Sequence, residues 1–289
     1  MGKFFYLISV FISLILGLEG ASRSSSAPYI SGDTFRSFCD YIHDETGCNF
    51  RPEEIKNGDK IFVKVDNLAD FFLRMHPRIR SKYILVSHNG DLPIPTNFVR
   101  MLDDPRLIAW FGQNVENYSH PKLHPIPIGL ANLCWPHGNV EAVNRSVRSL
   151  DGIRDILLYV NLNIQTNPSV RKPVYDLFAN QPYSFTSLST SFENYLMDVS
   201  RSKFVLSPRG NGLDTHRTWE ALYLGAIPII LSSSLDPLFE DLPVLIINSW
   251  SEISEEFLLE KYEEMSRKTY RLERLYADYW FNQLSLYMH

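Results

Sequence analysis

The sequence lacks an excess of positive charge, and its Lys and Arg residues form no block. There are 28 Lys and Arg residues against 33 Asp and Glu residues, which gives a formal net charge of -5. Proteins that grip nucleic acid neutralise its phosphates with clustered Lys and Arg, so we expect no nucleic-acid partner. Of the 289 residues, 45% are hydrophobic and 21% are charged, a balance typical of a globular protein with one large or two small domains.

Cysteine is also scarce, and several motifs of catalytic chemistry are missing. Cys39 and Cys48 flank a short polar loop and either form a disulfide or, together with Cys134, remain as three buried thiols. The Gly-x-x-x-x-Gly-Lys phosphate loop and the Gly-x-Ser-x-Gly nucleophile turn do not occur. The histidines do not have metal-ligand spacings, so we expect no metal site.

The long apolar run of the sequence is at the N-terminus. Lys3 precedes the apolar residues 4–18, and the Ser-rich stretch Ser22–Ala27 follows them. A short positive segment, an apolar segment and small residues describe a signal peptide, and the run is shorter than the ~20 residues of a membrane-spanning helix. We predict a signal peptide or signal-anchor at residues 1–27, with a buried helix as the alternative. Either signal implies the secretory pathway, such as the Golgi lumen, or export. An uncleaved signal-anchor implies membrane attachment through residues 4–18.

Short apolar runs alternate with helical patterns along the rest of the chain. Runs rich in Ile, Val and aromatic residues predict strands at 61–65, 83–87, 107–111, 123–128, 156–161, 184–186, 204–206, 227–231 and 244–247. Helical patterns predict helices at 67–75, 95–102, 168–179, 192–200 and 214–224, and almost throughout 251–287. Strands separated by helices form parallel sheets. We therefore expect two α/β halves with a cleft between them, joined by a less ordered crossover at 131–152.

The stretch 203–230 contains the strongest chemical signal. It reads as a strand, a Gly-rich loop, a helix ended by Gly225 and a further strand. Gly210 and Gly212 would allow a ligand to approach the backbone closely or allow positive φ angles. A helix that begins near Asp214 would present free N–H groups to this loop. These features predict an anion site where the loop meets the helix.

Three charged residues belong to this predicted site. Arg209 lies in the loop and Arg217 in the first turn of the helix, and two guanidinium groups beside a helix N-terminus suit a diphosphate. Glu220, three residues after Arg217, shares its helix face and would accept hydrogen bonds from the hydroxyls of a ribose. The alternative is an exposed ion pair between Arg217 and Glu220 that stabilises the helix by only a few tenths of a kcal/mol.

The run Ser207-Pro-Arg-Gly-Asn-Gly, followed by Arg217-x-x-Glu220-Ala-Leu and Gly225-Ala-Ile-Pro-Ile-Ile230, resembles the exostosin family of glycosyltransferases. A Pro-Arg-Gly loop, an Arg-x-x-Glu-Ala-Leu helix and a Gly-x-x-Pro-Val-Ile strand occur in that family in the same order and spacing. The resemblance implies an α/β protein with two Rossmann-like halves and a cleft between them (a GT-B-like fold), ending in a helical tail. It also implies an inverting transferase whose C-terminal half binds a nucleotide-sugar.

By this resemblance residues 28–150 are an acceptor-side domain, and residues 151–289 bind the donor. The donor-site residues are predicted to be Arg209, Gly210, Asn211, Gly212, Arg217, Glu220 and Arg171. His216 stands where the family has a Ser before the helix arginine. The implied partners are a nucleotide-sugar, linked to UDP or GDP, and a glycan or glycoconjugate acceptor. No Asp-x-Asp pair follows a strand, so we expect a metal-independent reaction with no cofactor beyond the donor.

Two further groups of residues follow predicted strands of the first half, where α/β sheets bind ligands. His88 or Asp91 would serve as the base that takes the proton of the acceptor hydroxyl, although the segment also reads as a polar turn. The aromatic residues of 110–114 would either stack against a sugar or belong to the core. On the donor side, Asn161 and Asn163 end a predicted strand.

Two other functions stay open. One is a non-catalytic glycan- or nucleotide-binding protein on the same fold, which turnover of a nucleotide-sugar would exclude. The other is a fucosyltransferase-like enzyme, since these enzymes also have an acidic helix followed by a Gly-x-x-Pro-x-x-Leu strand. A preference for a guanine over a uracil nucleotide would favour that enzyme.

Overall fold

The computed structural model describes residues 23–187 and 190–288. The apolar run 4–18, and with it the greater part of the predicted signal segment 1–27, lies outside the described residues. In the described ranges, no helix combines the length and the apolar character needed to cross a membrane.

The N-terminal half is built on a six-stranded sheet. Its strands are β1 (Tyr41–Asp44), β2 (Gly47–Cys48), β3 (Asp59–Lys64), β4 (Tyr83–His88), β5 (Leu107–Gly112) and β6 (Leu123–Pro125). They lie in the order β2-β1-β3-β4-β5-β6, and each neighbouring pair is parallel except β1 with β2. Ile84, Leu85 and Val86 are consecutive and fully buried, as in a parallel strand that is covered on both faces.

Short helices surround this first sheet. They are α1 (Gly32–Ser37), α2 (Leu68–Asp70, which continues as a π-helical turn to Met75), a 3-10 helix (Thr96–Asp103) and α3 (Val140–Arg148). Helix α3 is capped by Asn139, whose side chain accepts a hydrogen bond from the Ala142 N–H at 3.0 Å. Its buried residues, Ala142 and Val143, belong to the main core. The crossover between the halves is therefore partly helical.

The C-terminal half is built on a five-stranded parallel sheet. Its strands are β7 (Ile156–Val160), β8 (Ser184–Thr186), β9 (Ser202–Leu206), β10 (Ile227–Leu231) and β11 (Leu245–Ile247). They lie in the order β11-β10-β9-β7-β8. The chain passes from β7 to β8 on one side and returns to β9 on the other, so the strand order reverses between β7 and β9. Open α/β sheets bind ligands at the carboxyl ends of the strands at such a switch point.

Five helices accompany the second sheet. They are α4 (Pro168–Phe178), α5 (Phe192–Ser200), α6 (His216–Tyr223), α7 (Glu255–Ser266) and α8 (Ala277–Ser285). Helix α6 ends before Gly225, which has a φ of +71°, the left-handed conformation that glycine adopts without strain. Helix α8 returns to the N-terminal half, where Trp280 packs edge-on to Phe35 of α1 at 6.2 Å.

One hydrophobic core connects the two halves. It includes Phe62 and Trp110 in the first half and Trp219 and Tyr223 of α6 in the second. The Tyr223 hydroxyl donates to the Leu275 carbonyl at 2.6 Å and accepts from the Ile30 N–H at 3.1 Å. Helix α6, which the sequence predicts as part of the site, is thus also the element that packs against both halves.

The predicted two-sheet α/β fold is confirmed, and the strands agree with the predicted ones to within a few residues. The sequence patterns missed α1, β1, β2 and α3. The predicted helical tail over 251–287 consists of α7, α8 and short 3-10 turns, and it is interrupted between α7 and α8, where the backbone makes tertiary contacts. Arg271 N–H donates to the Asp241 carbonyl at 2.9 Å, and the Leu275 carbonyl accepts from Tyr223. The three cysteines are free thiols, but they are not the three buried thiols of the alternative, because Cys39 and Cys134 are half-buried and Cys48 is exposed.

Candidate functional site

A cleft of about 750 Å³ lies between the halves, at the switch point of the second sheet. This volume is in the range of ordinary small-molecule sites. The first half contributes Asp91, Ile128, Pro136 and His137, and the second contributes residues from the ends of β7 and β9 and from helices α4, α5 and α6. Of the nine residues predicted for the site, His88 and Arg209 do not line this cleft, and the other seven do: Asp91, Arg171, Gly210, Asn211, Gly212, Arg217 and Glu220.

The Gly-rich loop between β9 and α6 forms one wall of the cleft. Neither Gly210 nor Gly212 has a positive φ, so conformational freedom is not the reason for glycine at these positions. A Cβ on Gly212 would lie 2.4 Å from Nδ2 of Asn114 in the first half, and a Cβ on Gly210 would lie 3.1 Å from Nη2 of Arg171. The glycines allow these two side chains to pack directly against the loop.

Arg171 holds the loop to the end of β7. Its guanidinium donates from Nε to the Arg209 carbonyl at 3.1 Å and from Nη1 to the Asn163 carbonyl at 3.0 Å. The residue is only 6% exposed. Burial, and to a smaller extent the nearby positive charge of Arg217, lowers the pKa of Arg171 to about 10, so it stays protonated at neutral pH. It presents a fixed positive charge at the switch point.

Arg217 and Glu220 lie side by side on helix α6, as predicted, but they are not a surface ion pair. Glu220 is 5% exposed and accepts a hydrogen bond from the Tyr195 hydroxyl at 2.7 Å. Burial raises the pKa of Glu220, against the opposing effects of the Tyr195 hydrogen bond and Arg217. Among the described residues Arg217 forms no ion pair within 4.0 Å, and its buried Nε has no hydrogen-bond partner. The alternative of an exposed helix-stabilising pair is therefore wrong.

Arg209 is placed differently from the prediction. Its guanidinium lies 3.5 Å from the Glu116 carboxylate of the first half and donates to the Asn211 carbonyl at 3.0 Å. It does not line the cleft. The position gives no support to a diphosphate contact by Arg209. Its side chain joins the loop to the first half, and Arg171 is the second arginine of the cleft.

The two predicted bases are also separated by the structure. His88 is buried against Phe35, donates from Nε2 to the Pro127 carbonyl at 3.0 Å and accepts at Nδ1 from the Asn89 N–H at 2.7 Å. Burial lowers the pKa of His88 to about 4. Because both ring nitrogens are engaged away from the cleft, His88 is not placed to act as a base. Asp91 does line the cleft, where it accepts from Nδ2 of Asn211 at 3.1 Å.

His216 is a site residue whose role sequence reasoning missed, although its unusual position before Arg217 was a signal. Its Nδ1 lies 2.7 Å from the Gly129 carbonyl. A carbonyl only accepts, so the proton of the neutral ring is on Nδ1 and the lone pair is on Nε2. Burial lowers the pKa of His216 to about 4, partly opposed by the hydrogen bond to Gly129 and, to a smaller extent, by the charge of Asp91, so the ring is neutral at neutral pH. The ring lines the cleft beside His137.

Asp214 fixes the start of helix α6 against the first half. Its buried carboxylate accepts from the Ile128 N–H, the Trp219 Nε1–H and the Thr215 N–H, each at 2.8 Å. Burial raises the pKa of Asp214 to about 6, and the three donors act in the opposite direction. Because Ile128 belongs to the first half, this carboxylate sets how the two walls of the cleft meet.

The aromatic residues at 110–114 belong to the core and not to the cleft. Trp110 is fully buried and donates from Nε1 to the Ser87 hydroxyl at 2.7 Å, and Phe111 is buried beside His124. Asn161 and Asn163 do line the cleft, at the end of β7. Over the part of the chain that the structure describes, no group of three or more His, Cys, Asp or Glu side chains could hold a metal ion.

No family model matches this chain, and no curated protein matches it. Among solved structures it is similar to the crystal structure of an α1,3-fucosyltransferase, with 11% identity and a TM-score of 0.44 over 82% of this chain and 78% of that one. It is also similar to the UDP-GlcNAc 2-epimerase from Methanocaldococcus jannaschii, with 12% identity and a TM-score of 0.39 over 78% and 77% of the two chains. At these values neither similarity supports an activity, so function has to be inferred from the cleft.

Proposed function

We propose that the protein is a glycosyltransferase that moves a sugar from a nucleoside diphosphate sugar to a hydroxyl of a glycan or glycoconjugate. The observation that carries this proposal is the pair of arginines in the cleft, Arg171 and Arg217, beside the buried Glu220. The resemblance of residues 207–230 to the exostosin family is the second support for this proposal. Together they support a metal-independent enzyme with an exostosin-like donor site.

The two arginines suit the diphosphate of the donor. Arg171 and Arg217 carry like charges that affect each other across the cleft, and an anion between them would remove this repulsion. The buried Nε of Arg217 lacks a partner in the described residues, a situation that costs about 1–3 kcal/mol until an acceptor arrives. The side chain of Thr215, the N-cap residue of α6, bonds to the Thr218 hydroxyl at 3.2 Å and accepts no hydrogen bond from a backbone N–H of the first turn, so N–H groups there remain available to a phosphate.

Glu220 suits the ribose of the nucleotide. The Tyr195 hydroxyl bonds to its Oε2 and fixes the orientation of the carboxylate. In the part of the chain described, Oε1 makes no hydrogen bond, and Glu220 lines the cleft one turn deeper in α6 than Arg217. A carboxylate held in this way can accept from the two hydroxyls of a ribose while the arginines hold the phosphates.

The cleft also contains groups for the chemical step. In an inverting transfer the acceptor oxygen bonds to the anomeric carbon, the bond from that carbon to the phosphate oxygen breaks, and a base takes the hydroxyl proton. Asp91 and His216 both line the cleft, and the Asp91 carboxylate and the unprotonated Nε2 of His216 can each accept that proton. A bound dianionic diphosphate would raise the pKa of His216 from about 4 toward neutrality, which strengthens it as a base. Arg171 and Arg217 would stabilise the charge of the leaving diphosphate.

A thermal-unfolding screen against UDP, GDP, CMP and ADP, in EDTA and in magnesium, tests this function. A ligand at a hundred times its dissociation constant adds about 2.7 kcal/mol, which raises the Tm of a chain this size by roughly 5–10 °C. We expect UDP or GDP to give this rise in EDTA. No rise with any nucleotide contradicts the donor site. Binding of a nucleotide without release from any nucleotide-sugar would instead favour a non-catalytic binding protein.

A further inference from the structure

Trp135 is the most exposed of the five tryptophans. It is 50% exposed, whereas Trp110 and Trp219 are fully buried and Trp280 is 6% exposed. It lies in the loop between β6 and α3, which the sequence marks only as a polar connection. A large aromatic side chain left in water at a fixed place is a common feature of binding sites.

The loop that carries Trp135 is held in place by its own backbone and by the first sheet. The Trp135 N–H donates to the Asn132 carbonyl at 2.9 Å, and the Gly138 N–H donates to the Trp135 carbonyl at 2.8 Å. A Cβ on Gly138 would lie 2.0 Å from the Asn132 oxygen, so only glycine fits there. The Asn132 side chain accepts from the Asp33 N–H at 2.8 Å and donates to Asn89 at 2.9 Å. The indole is therefore preorganised.

A second groove, of about 440 Å³, runs along this loop and is lined by Trp135, Pro136, Asn139 and Glu141, among others. Pro136 lines both this groove and the donor cleft. His137 lies in the cleft and stacks on Trp135, with ring centroids 6.4 Å apart and planes 26° apart. His137 is in turn 6.0 Å from His216, centroid to centroid. The groove is thus continuous with the cleft on the side of the proposed base.

We propose that this groove is the acceptor subsite and binds a pyranose ring of an uncharged glycan on the face of Trp135. The inference rests on the proposed function. A pyranose has an apolar face of C–H groups that packs on an indole and hydroxyls at its edge that bond to polar groups such as Glu141. A glycan bound there reaches past His137, so that the next hydroxyl enters the cleft beside His216 and Asp91.

The charges along the groove favour a neutral glycan over an acidic one. The carboxylate of Glu141 lies in the groove, and that of Glu193 lies in the adjoining cleft wall. Arg145 is the shared partner of both, at 3.9 Å and 4.0 Å. Among the described residues that line the groove itself, Glu141 is the one charged residue and there is no Lys or Arg, so a uronate or sulfate group bound there would meet a carboxylate of like charge.

Tryptophan fluorescence tests the subsite. Neutral linear hexasaccharides of β-glucose, β-xylose, β-N-acetylglucosamine and α-mannose, and a heparin hexasaccharide, would be titrated into the wild type and Trp135→Phe, so that the difference gives the Trp135 emission. We expect at least one neutral sugar to change that emission and heparin to leave it unchanged. In calorimetry, Trp135→Ala should bind the same sugar about tenfold more weakly.

Phe281→Ala, which removes another exposed aromatic residue outside both cavities, is the matched control and should bind the sugar as the wild type does. If no neutral sugar changes the Trp135 emission, or if Trp135→Ala binds as tightly as the wild type, the subsite is refuted. The Tm rise with UDP or GDP is measured on the same proteins. Its presence in Trp135→Ala shows an intact fold and donor site, and its absence in the wild type contradicts the proposed function separately from the subsite.

Discussion

Replacing Arg217 by Met should weaken nucleotide binding strongly without destabilising the free protein. Met keeps an apolar stem that fills the space of the arginine side chain and removes the buried Nε, which has no partner in the described structure. Removing such a group recovers about 1–3 kcal/mol, and the repulsion with Arg171 is also relieved. The loss of a positive charge near Glu220 acts in the opposite direction, because it raises the pKa of that carboxyl further. We therefore expect an unchanged or slightly higher Tm.

The effect on binding has the opposite sign. A hydrogen bond to a charged group contributes about 1.5–3 kcal/mol, which corresponds to roughly a ten- to hundredfold loss of affinity. At a nucleotide concentration that gives the wild type about 2.7 kcal/mol of stabilisation, a hundredfold weaker site gives only about 0.4 kcal/mol. The ligand-induced Tm rise should therefore fall from roughly 5–10 °C to about 1 °C.

Thermal unfolding with and without UDP or GDP measures both quantities on one protein. Arg267→Met is the matched control, because Arg267 is exposed and pairs only with the surface residue Glu263 in the described structure. The control should keep the full ligand-induced rise. Wild-type nucleotide binding by Arg217→Met, or a free protein that unfolds more than about 5 °C lower, would refute the reasoning about this arginine.

Three further changes test other parts of the site. Asp214→Asn places an amide N–H₂ donor against the N–H donors that now bond to the carboxylate, and it should lower the free energy of unfolding by about 2–4 kcal/mol. An unchanged midpoint of chemical denaturation would contradict the role of Asp214 between the halves. Tyr195→Phe frees Glu220 and should weaken UDP or GDP binding by about tenfold in calorimetry; equal affinity would show that the orientation of Glu220 is unimportant. His216→Gln removes a group whose pKa falls from 6.5 to about 4 on folding. A lowered histidine pKa contributes stability that is lost as the pH falls from about 6.5 toward 4. Between pH 7.5 and 4.5 the free energy of unfolding of the wild type should therefore fall by about 2.5 kcal/mol more than that of His216→Gln. Parallel curves of unfolding free energy against pH would contradict this.

The fold was predictable because buried strands and their helices repeat a simple pattern. Segments such as β4 and β10 are runs of apolar residues that only a covered parallel sheet accommodates. The break between α7 and α8 was not predictable, since residues 267–276 contain neither Gly nor Pro, and the helix ends there because the backbone bonds to distant residues such as Tyr223. Local sequence does not record such contacts.

The site was predictable only where it follows local sequence patterns. Helix periodicity predicts that Arg217 and Glu220 share one helix face, and the loop glycines are visible in the sequence itself. The direction of a loop side chain is not predictable in this way. Arg209, for example, points to Glu116, a residue 93 positions away in sequence. His88 is the last residue of strand β4, one position from where it was expected, but its neighbour Phe35 in the unpredicted helix α1 buries it. Trp135 gave no periodic signal, because it lies in a loop.

The most direct test of the central claim is the release of UDP or GDP from a panel of nucleotide-sugars in EDTA, with the neutral hexasaccharides as acceptors. We predict that the wild type releases one of these nucleotides, faster with an acceptor sugar than without it, and that Arg217→Met does not. Absence of release from every nucleotide-sugar, or equal release by Arg217→Met, would contradict the assignment of this cleft as a glycosyltransferase site.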